Sequence, residues 1–564
     1  MSIQSTMQHG NLGVAQLLRH ALRFGGGADV IWHCNGVRSR ATLQDCAVRA
    51  ARLGASLTAR GVGPGDVVAT FGNADVEHFE AYLGVPARGM ILHPLNIRMH
   101  DTDLANSLQE TGDCVIIVSR GYFERFEQLA PMLAGTRLRL VLVTGQEPVV
   151  SAKGLPVETL SYGNFLADAP AMRADALTDP EETAAATICH TGGTTGRPKS
   201  VVYSHRSIWL QAQSLTSANS LGLSRRDTLL PAVPFYHVNG WGMPFAAVMA
   251  GTDLVLPGAE FRPDALDALI EDCGVTIAAG VPTIWSDLLR MRDATGATGF
   301  KTLSRLATGG SVVPKSLIDA MAEKKVEIIQ AWGMTETSSM SVLGRVTHDE
   351  TDVGPNAQQP IGYPMPGLEL RVVAADGETV EPGSGTAGEI QIRGPCVTRS
   401  YLGTDADDAF DGGWLRTGDI GTIDALGRLT LTDRLKDAIK SGGEWIAAPV
   451  LEDALRGLPG ILDAAVIAMP HPRFQERPLA VVVCEADKPA DIAAHRDRLR
   501  ALVPSWWLPD GWAVVPSLPR TGLGKPDKAA LRCLHVAGAL NVVRDSAKTI
   551  PSHAKKQPEK TNEN

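Results

Sequence analysis

The chain has 564 residues, of which 44% are hydrophobic and 20% are charged, and its formal net charge is −9. This length exceeds what one hydrophobic core supports, so we expect two or more domains. The negative charge argues against nucleic acid or an anionic membrane surface as the main partner and favours small-molecule chemistry.

Cysteines and apolar runs bear on the compartment. The eight cysteines are scattered, with no C-x-x-C pair and no His/Cys cluster at zinc spacing. The first residues lack the apolar run of a secretory signal, and no window reaches the roughly 18 apolar residues of a membrane span. We therefore expect a cytoplasmic protein with reduced cysteines and no integral membrane segment. A homodimer is compatible with the sequence, which does not determine the oligomeric state.

From about residue 66, short apolar runs alternate with amphipathic stretches. A first series contains DVVATFG, MILHPLN, CVIIVS and LRLVLVTG, and a second extends from TAAATIC to EIIQAWG. This alternation predicts βαβ units and a largely parallel sheet. After about residue 362, glycine- and proline-punctuated runs such as ELRVVAADG and GEIQIRG predict a small antiparallel β subdomain.

The C-terminal part interleaves short strands with helical segments around residues 448–457 and 492–503. The predicted fold class is therefore α/β, with a large N-terminal body of several subdomains, including the small β subdomain, and a smaller α+β C-terminal domain. We place the domains at residues 1–434 and 435–546. A disordered tail is expected at 547–564, where apolar residues are almost absent.

The segment TGGTTGRPKS (191–200) contains Pro198, which distinguishes this segment from one well-known kind of phosphate-binding loop. From Gly193 it would match the P-loop pattern G-x-x-x-x-G-K-S if Pro198 were glycine. Proline removes a backbone N–H donor and fixes φ, so the P-loop cradle cannot form there. An isolated run of this kind is more often a surface turn. The residue types nevertheless suit a polyphosphate. They are Thr191, Gly192, Gly193, Thr194, Thr195, Gly196 and Lys199.

The stretch TGGTTGRPKSVVYSH resembles the signature loop of the adenylate-forming superfamily, which contains acyl-CoA synthetases, firefly-type luciferases and the adenylation domains of peptide synthetases. Eight further segments resemble that superfamily's motifs in the expected order: PAVPFYHVNGWG, TGGSVVP, QAWGMTE, GEIQIRG, SYLG, WLRTGD, DRLKD and LPRTGLGKPDK. The resemblance covers nearly the whole chain. HVNGWGMPF, IKSGGEWIA and PHPRFQERPLAVVV resemble the fatty-acyl-CoA synthetase branch.

The resemblance implies an AMP-forming acid–CoA ligase that uses ATP, Mg²⁺ and coenzyme A. The implied catalytic residues are His237 near the acyl carboxylate, Thr335 at the α-phosphate, Glu336 and Lys525, with Thr191 and Glu336 as Mg²⁺ ligands. The other residues expected to bind ATP or coenzyme A are Thr191, Gly193, Thr194, Thr195, Gly196, Lys199, Trp241, Gly309, Gly310, Gln330, Ala331, Trp332, Gly333, Asp419, Arg434, Lys436, Lys440, Gly442, Gly443 and Trp445.

Some of these residue types suit their roles by chemistry alone. Asp419, after a glycine turn, can accept hydrogen bonds from vicinal ribose hydroxyls, and Arg434 can donate to the same sugar. Glu336 is a hard oxygen ligand for Mg²⁺, which usually also binds substrate phosphates. Without the neighbouring motifs, Asp419 would more often be a turn residue, Arg434 part of a surface ion pair and Glu336 part of a helix start. His237 alone would more often be a core histidine.

The resemblance also implies that the C-terminal domain moves. It places Lys525 in the active site for adenylation and the KSGGEWI segment (440–446) there for thioester formation, on opposite faces of one small domain. A rotation about a hinge at Lys436 would meet both demands. Three residues depart from the commoner superfamily pattern. They are Gly192 in place of serine, Ser200 in place of glycine and Trp332 in place of tyrosine.

The acid is expected to be hydrophobic and, as first choice, a medium- to long-chain fatty acid. The resemblance places Trp241 where the acyl tunnel meets the nucleotide site, and the alternative for Trp241 is an ordinary core residue. An aromatic, alicyclic or thioether acid, or a carrier-protein acceptor in place of coenzyme A, is the alternative function. Pro198 argues against a P-loop NTPase. The presence of Glu336, Asp419, Arg434 and Lys525 argues against a non-catalytic relative.

Overall fold

A computed structural model of the chain describes residues 3, 5–34, 37–145, 152–169, 177–191, 198–345, 359–403, 408–441, 444–485, 491–520 and 526–544. The chain folds into two compact units, one up to Leu431 and one from Thr432 onwards. The predicted α/β fold class, with a large N-terminal body and a smaller α+β C-terminal part, is confirmed. The predicted tail at 547–564 lies outside the described residues.

The first elements of the larger unit include the seven strands of one sheet within the described residues. They are α1 (Val14–Phe24), β1 (Asp29–Cys34), β2 (Val37–Thr42), α2 (Leu43–Ala59), β3 (Val67–Phe71), α3 (Val76–Gly84), β4 (Ile91–Pro94), α4 (Asp101–Thr111), β5 (Val115–Val118), α5 (Phe123–Leu129), β6 (Leu140–Val143), β7 (Glu158–Ser161), α6 (Tyr162–Ala167), β8 (Ala185–His190) and β9 (Ser200–Ser204). The strand order is β7-β6-β5-β3-β4-β8-β9, parallel except for β9. Central strands such as β5 are apolar throughout because helices cover both faces.

The next elements build a second, mostly parallel sheet. They are α7 (His205–Thr216), β10 (Thr228–Pro231), α8 (Val238–Trp241), α9 (Met243–Ala250), β11 (Asp253–Leu256), α10 (Pro263–Asp272), β12 (Ile277–Gly280), α11 (Pro282–Thr295), β13 (Arg305–Gly309), α12 (Lys315–Glu323), β14 (Glu327–Trp332), β15 (Val342–Arg345) and β16 (Tyr363–Pro364). The order is β16-β15-β14-β13-β12-β10-β11-β1-β2. An apolar core that includes residues of α1, α2, α3, α7 and α9 is shared by this sheet and the first.

The larger unit continues into the predicted antiparallel β subdomain. Its strands are β17 (Glu369–Val373), β18 (Thr379–Val380), β19 (Gly388–Arg393), β20 (Phe410–Asp411), β21 (Trp414–Ile423) and β22 (Leu429–Arg434). The order is β18-β17-β19-β21-β20, and β22 also pairs with β21. β19 lies in the middle, with Ile390 and Ile392 fully buried and the buried Gln391 between them accepting hydrogen bonds from Arg371.

The smaller unit folds around a mixed sheet. Its elements are β23 (Ile439–Ser441), β24 (Glu444–Ile446), α13 (Ala448–Arg456), β25 (Ile461–His471), β26 (Gln475–Cys484), α14 (Ile492–Leu502), β27 (Gly511–Val514), α15 (Lys528–Val536) and β28 (Val543–Arg544). The order is β24-β23-β26-β27-β28, with β25 also paired to β26. Across the described parts of both units, no helix is long and apolar enough to cross a bilayer.

Candidate active site

The predicted phosphate loop leaves the first sheet between β8 and β9. His190 and Ser200 form the last residue pair of this antiparallel ladder. Beyond them, the Thr191 N–H donates to the Lys199 carbonyl oxygen at 2.9 Å, and the Lys199 N–H donates to Thr191 Oγ1 at 3.0 Å. Thr191 and Lys199, here called the loop stem, therefore hold the two ends of the loop together. Four predicted binding residues of the loop lie outside the described residues: Gly193, Thr194, Thr195 and Gly196.

Tyr401 joins the loop stem to Glu336. Its hydroxyl donates to Glu336 Oε1 at 2.7 Å, and the Lys199 ammonium lies 4.3 Å from the centroid of its ring. The quadrupole of an aromatic ring attracts a cation placed over its face. Glu336 and Tyr401 are both buried. The fold thus brings a cation and a carboxylate from distant segments around one phenol ring. No role for Tyr401 was evident from the sequence.

Two residues separate the end of β14 from a 3₁₀ turn, Thr335–Thr337, which carries Thr335 and Glu336. A Cβ atom on Gly333 would lie 1.5 Å from the Ser339 carbonyl oxygen, so only glycine fits at the entry to this turn. The Tyr203 hydroxyl donates to the Thr335 carbonyl oxygen at 2.6 Å. Since Tyr203 belongs to β9, the turn that carries Glu336 is fixed to the strand that follows the phosphate loop.

The adjacent ends of β13 and β14 bring four further predicted residues together. Gly309 pairs with Ala331 in the sheet register, and a Cβ atom on Gly309 would lie 2.1 Å from the Ala331 carbonyl oxygen. Gln330 is buried and its Nε2 donates to the Pro360 carbonyl oxygen at 3.3 Å. Gly310 follows with a φ of 80°, a left-handed conformation that glycine adopts without strain. Close backbone packing therefore explains the glycines on this wall.

Trp332 and Asp419 form a buried hydrogen bond. Trp332 Nε1 donates to Asp419 Oδ2 at 2.8 Å, and both side chains are less than 10% exposed. Asp419 follows Gly418, whose φ of 66° gives the glycine turn expected from the sequence. An indole N–H bonded to one carboxylate oxygen fixes the orientation of the other. The tryptophan that replaces the commoner tyrosine is thus bonded to the residue predicted to bind ribose.

His237 lies at the start of an unusual backbone segment. All residues from 238 to 242 have φ angles between 37° and 71°. Such left-handed backbone is costly for Val238, which is β-branched, and strained segments cluster at functional sites. The turn is held by Asn239 Nδ2, which donates to Thr187 Oγ1 on β8 at 2.5 Å. Trp241, the fourth residue of this segment, is buried, and the His237 ring packs edge-on against its neighbour Tyr236.

The smaller unit carries the remaining predicted residues. The Lys440 N–H donates to Glu476 Oε2 at 2.8 Å, and its ammonium lies 5.4 Å from the centroid of the Trp445 ring. Arg434, the last residue of β22, is exposed, and so is Lys436 in the segment that connects β22 to β23. Three predicted residues lie outside the described residues: Gly442, Gly443 and Lys525.

The two ends of the segment that contains Lys525 are held close together. Arg520 and Pro526 form an antiparallel bridge, and the Asp527 N–H donates to the Pro519 carbonyl oxygen at 2.8 Å. The Asp527 side chain then caps α15 by accepting the Ala530 N–H at 3.0 Å. The intervening residues 521–525 are therefore bounded by a fixed base.

A buried ion pair anchors the first residue of α15. Lys528 Nζ lies 2.9 Å from Glu452 Oε1, and both side chains are largely buried. Burial lowers the pKa of Lys528, but the carboxylates of Glu452 and Asp433 outweigh that effect and raise the pKa above its ordinary value. Burial raises the pKa of Asp433 to about 6. Removing either partner of such a pair leaves an uncompensated charge, so α15 is firmly attached to the body of the smaller unit.

The oxygen atoms of the site suit a Mg²⁺ ion that is held partly by the phosphates of the substrate. Among the described residues, no group of three or more His, Cys, Asp or Glu side chains could hold a metal ion. Magnesium in phosphoryl-transfer sites is commonly held by one or two carboxylates together with substrate phosphates. Glu336, placed beside the loop stem, matches that requirement. Thr191 Oγ1 accepts the Lys199 N–H, so its part as a metal ligand stays a prediction.

Comparison with known proteins identifies the family. The sequence profile of the AMP-binding enzyme family matches residues 19–402, and that of the AMP-binding enzyme C-terminal domain matches residues 450–525. The chain belongs to the AMP-binding enzyme family. The predicted superfamily is thereby confirmed.

Relatives of similar length belong to the acyl-CoA synthetase branch of this family. The chain is 38% identical to a long-chain-fatty-acid–CoA ligase of Thermus thermophilus, over 94% of this chain and 96% of that protein. It is 36% identical to a 3-methylmercaptopropionyl-CoA ligase of Ruegeria pomeroyi, over 93% of this chain and 98% of that protein. The prediction of an AMP-forming acyl-CoA synthetase is confirmed, and the class of acid stays open.

A solved structure shares the fold of this AMP-binding enzyme. The anthranilate CoA ligase AuaEII in complex with anthranoyl-AMP superimposes with a TM-score of 0.82, covering 95% of this chain and 100% of that one. The sequences are 23% identical, so this likeness concerns the fold alone.

Trp332→Phe is expected to raise the KM for ATP by about 3- to 10-fold, because phenylalanine keeps an aromatic face but cannot donate to the charged Asp419. If Trp332 orients Asp419 toward the ribose, the variant also discriminates less between ATP and 2′-deoxy-ATP. Steady-state pyrophosphate release with each nucleotide measures both effects. Unchanged discrimination, at an unchanged melting temperature, would contradict this role of the indole N–H.

Proposed function

We propose that this AMP-binding enzyme joins a hydrophobic carboxylic acid, in first place a medium- to long-chain fatty acid, to coenzyme A at the expense of ATP. The observation that carries the proposal is the arrangement of Lys199, Tyr401 and Glu336, in which a cation and a carboxylate meet around one ring beside the loop stem. Such a pair suits a polyphosphate with its metal ion.

The first step forms an acyl-adenylate. An oxygen of the substrate carboxylate attacks the α-phosphorus of ATP, and the bond to the bridging oxygen breaks to release pyrophosphate. Lys199, Lys525 and the loop donors stabilise the negative charge on the phosphoryl oxygens, while Thr335 contacts the α-phosphate. Glu336 would hold Mg²⁺, with Thr191 as a second ligand, and the ion when bound neutralises phosphate charge.

The adenosine would lie on the wall formed by β13 and β14. Trp332 offers an aromatic face to adenine, with Gly309 and Gly310 allowing close approach. Asp419, held by the Trp332 indole, has carboxylate oxygen atoms for the vicinal ribose hydroxyls. Arg434 would donate to the same sugar. The backbone of this wall also includes Gln330, Ala331 and Gly333.

The second step forms the thioester. The thiol of coenzyme A attacks the acyl carbonyl carbon, and AMP leaves with the electron pair of the broken C–O bond. No cysteine nucleophile is needed. His237 would lie near the acyl carboxylate, while Lys440, Trp445 and the glycine pair Gly442 and Gly443 would border the pantetheine arm.

A change of domain orientation between the steps follows from this division of roles. Lys525 would serve adenylation and the segment from Lys440 would serve thioester formation, and both belong to the smaller unit. Lys436, exposed in the connection between β22 and β23, is the proposed hinge.

Lys436→Pro is expected to reduce thioester formation by about 10- to 100-fold and adenylation much less, because proline fixes φ near −65° and restricts the backbone rotation that the second step needs. Pyrophosphate exchange measures the first half-reaction, and CoA-dependent consumption of supplied acyl-AMP measures the second. Lys436→Ala is the control, since it removes the charge without restricting φ. A normal overall rate in the proline variant would refute the hinge assignment.

Two observations bear on the class of acid. The relatives described above act on a long-chain fatty acid and on 3-methylmercaptopropionate, which is a thioether acid. Trp241 and the left-handed turn that contains it would border the acyl site. An aromatic, alicyclic or thioether acid, or a carrier-protein acceptor, is the alternative. A cytoplasmic location and a homodimer stay predictions.

A panel of carboxylic acids assayed with ATP, Mg²⁺ and coenzyme A tests the proposal. Release of AMP and formation of thioester are read together for fatty acids of increasing chain length, aromatic acids and thioether acids. We expect both products with medium- to long-chain acids. Acid-dependent pyrophosphate exchange without any CoA thioester would favour a carrier-protein acceptor, and ATP hydrolysis independent of acid would refute the proposed reaction.

A further inference from the structure

A buried cluster of polar side chains lies directly behind the loop stem. His93 Nδ1 lies 3.0 Å from an Asp113 carboxylate oxygen, and His93 Nε2 lies 2.7 Å from His190 Nε2. His190 Nδ1 in turn lies 3.3 Å from Ser200 Oγ. These four residues, here called the relay, are each less than 10% exposed, and His93 is fully buried. Ser107 Oγ lies 2.8 Å from His190 Nε2, and Thr111 Oγ1 donates to Asp113 Oδ2 and lies 3.3 Å from His93 Nδ1.

The partners assign a direction to the hydrogen bonds. A carboxylate can only accept, so Nδ1 of His93 carries the hydrogen that Asp113 accepts. In the neutral imidazole, Nε2 of His93 is then an acceptor, and Nε2 of His190 must donate to it. Nδ1 of His190 is left as an acceptor for the Ser200 hydroxyl. Every ring nitrogen in the relay is satisfied in this arrangement, and Asp113 at one end determines the tautomer at the other.

The relay connects separate parts of the first sheet. His93 belongs to β4, Asp113 lies two residues before β5, and His190 and Ser200 close the ladder of β8 and β9. His190 is followed by Thr191, and Ser200 is preceded by Lys199, so both stem residues are bonded covalently to the relay. The Ser200 carbonyl oxygen also accepts the Leu402 N–H at 2.9 Å, next to Tyr401.

We infer that the relay is a positioning device for the phosphate loop, in which Asp113, His93 and His190 hold the loop stem in the geometry that adenylation requires. This inference rests on the proposed function and deepens it. None of the relay residues touches the reacting atoms. They act through Thr191 and Lys199, and Ser200, which replaces the commoner glycine, supplies the hydroxyl that ends the relay.

Packing alone does not account for the relay. The neighbouring side chains of the same strands are apolar, as in Leu92 of β4 and Ile188 of β8. Apolar residues of similar volume are often as stable as a buried polar network or more so, and such networks specify one geometry.

Asp113→Asn is the sharpest test, because the two side chains are nearly isosteric. The asparagine amide can donate to Nδ1 of His93, which moves the imidazole hydrogen of His93 to Nε2. The Nε2 atoms of His93 and His190 then both carry a hydrogen, and the hydrogen bond between them is lost. We expect kcat/KM for ATP in pyrophosphate exchange to fall by about 10- to 100-fold, as for other small misplacements of binding groups. Thioester formation from supplied acyl-AMP should stay within about twofold of the native rate, because no triphosphate is bound in that step.

Ser200→Ala is the second variant, because it removes only the terminal hydroxyl and is expected to fold. It should lower kcat/KM for ATP by about 3- to 10-fold, in keeping with the loss of one hydrogen bond. The control is His205→Gln, another fully buried histidine, whose Nδ1 accepts the Val14 N–H at 3.5 Å away from the stem. It should lower the melting temperature without a selective effect on ATP.

Native kcat/KM for ATP in Asp113→Asn, or an equal loss in both half-reactions, would overturn the inference. Failure of the proposed function would be seen separately, as the absence of acid-dependent pyrophosphate exchange in the native protein.

Discussion

Replacement of Lys525 by alanine is expected to abolish measurable adenylation, a loss of about 10³-fold, while thioester formation from supplied acyl-AMP is retained. The reason is electrostatic. Negative charge shifts onto the phosphoryl and leaving oxygens as pyrophosphate departs, and a positioned ammonium stabilises it most in the transition state. Thioester formation develops no such charge on a triphosphate, so it does not require this lysine.

The described residues on both sides of the segment 521–525 hold its two ends together. Arg520 and Pro526 close the base of the segment, and Asp527 links that base to the start of α15. Lys528 anchors the helix through its buried pair with Glu452.

Two half-reaction assays measure the effect of Lys525→Ala. Acid-dependent exchange of pyrophosphate into ATP reports adenylation, and CoA-dependent consumption of synthetic acyl-AMP reports the second step. Lys301→Ala serves as the control, because Lys301 is 75% exposed, so its removal costs the same charge at a solvated surface. Equal loss in both half-reactions would contradict the proposed division of labour, and an unchanged melting temperature would exclude unfolding as the cause.

The sequence correctly predicted those elements whose structure depends only on residues close together in the chain. The apolar runs around Val115 and Leu140 are buried parallel strands, and the glycine before Asp419 makes a left-handed turn. These features depend on side-chain periodicity or on the conformational freedom of glycine, which neighbouring residues reveal directly. The β1–β2 hairpin was not predicted. It joins the second sheet beside β11, more than 200 residues away, and no local pattern carries that information.

The site contacts that the sequence did not reveal are long-range ones. Tyr401 meets Glu336 from a distance of 65 residues, and His93 meets His190 from a distance of 97. Both contacts arise from the order in which strands and loops assemble. The family resemblance assigned roles to residues inside motifs, such as Glu336, but it assigned none to Tyr401 or His93, whose functions depend on what the fold places beside them.

Replacement of Glu336 by glutamine should show the second large effect. Glutamine keeps an oxygen that can accept the Tyr401 hydroxyl, which lies 2.7 Å from Glu336 Oε1 in the native protein, but it lacks the charge that a divalent cation needs. We expect adenylation to fall by about 10²- to 10³-fold, the range seen when one charge-stabilising group is lost. The Mg²⁺ concentration for half-maximal pyrophosphate exchange should rise, and the affinity for Mg²⁺–ATP measured by calorimetry should fall.

Tyr401→Phe separates the charge of Glu336 from its orientation. Phenylalanine keeps the aromatic face for the Lys199 ammonium, which lies 4.3 Å from the ring centroid, and removes only the hydroxyl that holds the carboxylate. Because one hydrogen bond to a charged group is lost, the rate of adenylation should fall by about 10-fold in this variant, which is much less than in Glu336→Gln. A glutamine variant with native dependence on Mg²⁺ would show that Glu336 is not the metal ligand. A phenylalanine variant as damaged as the glutamine variant would instead place the main role in the Tyr401 hydroxyl.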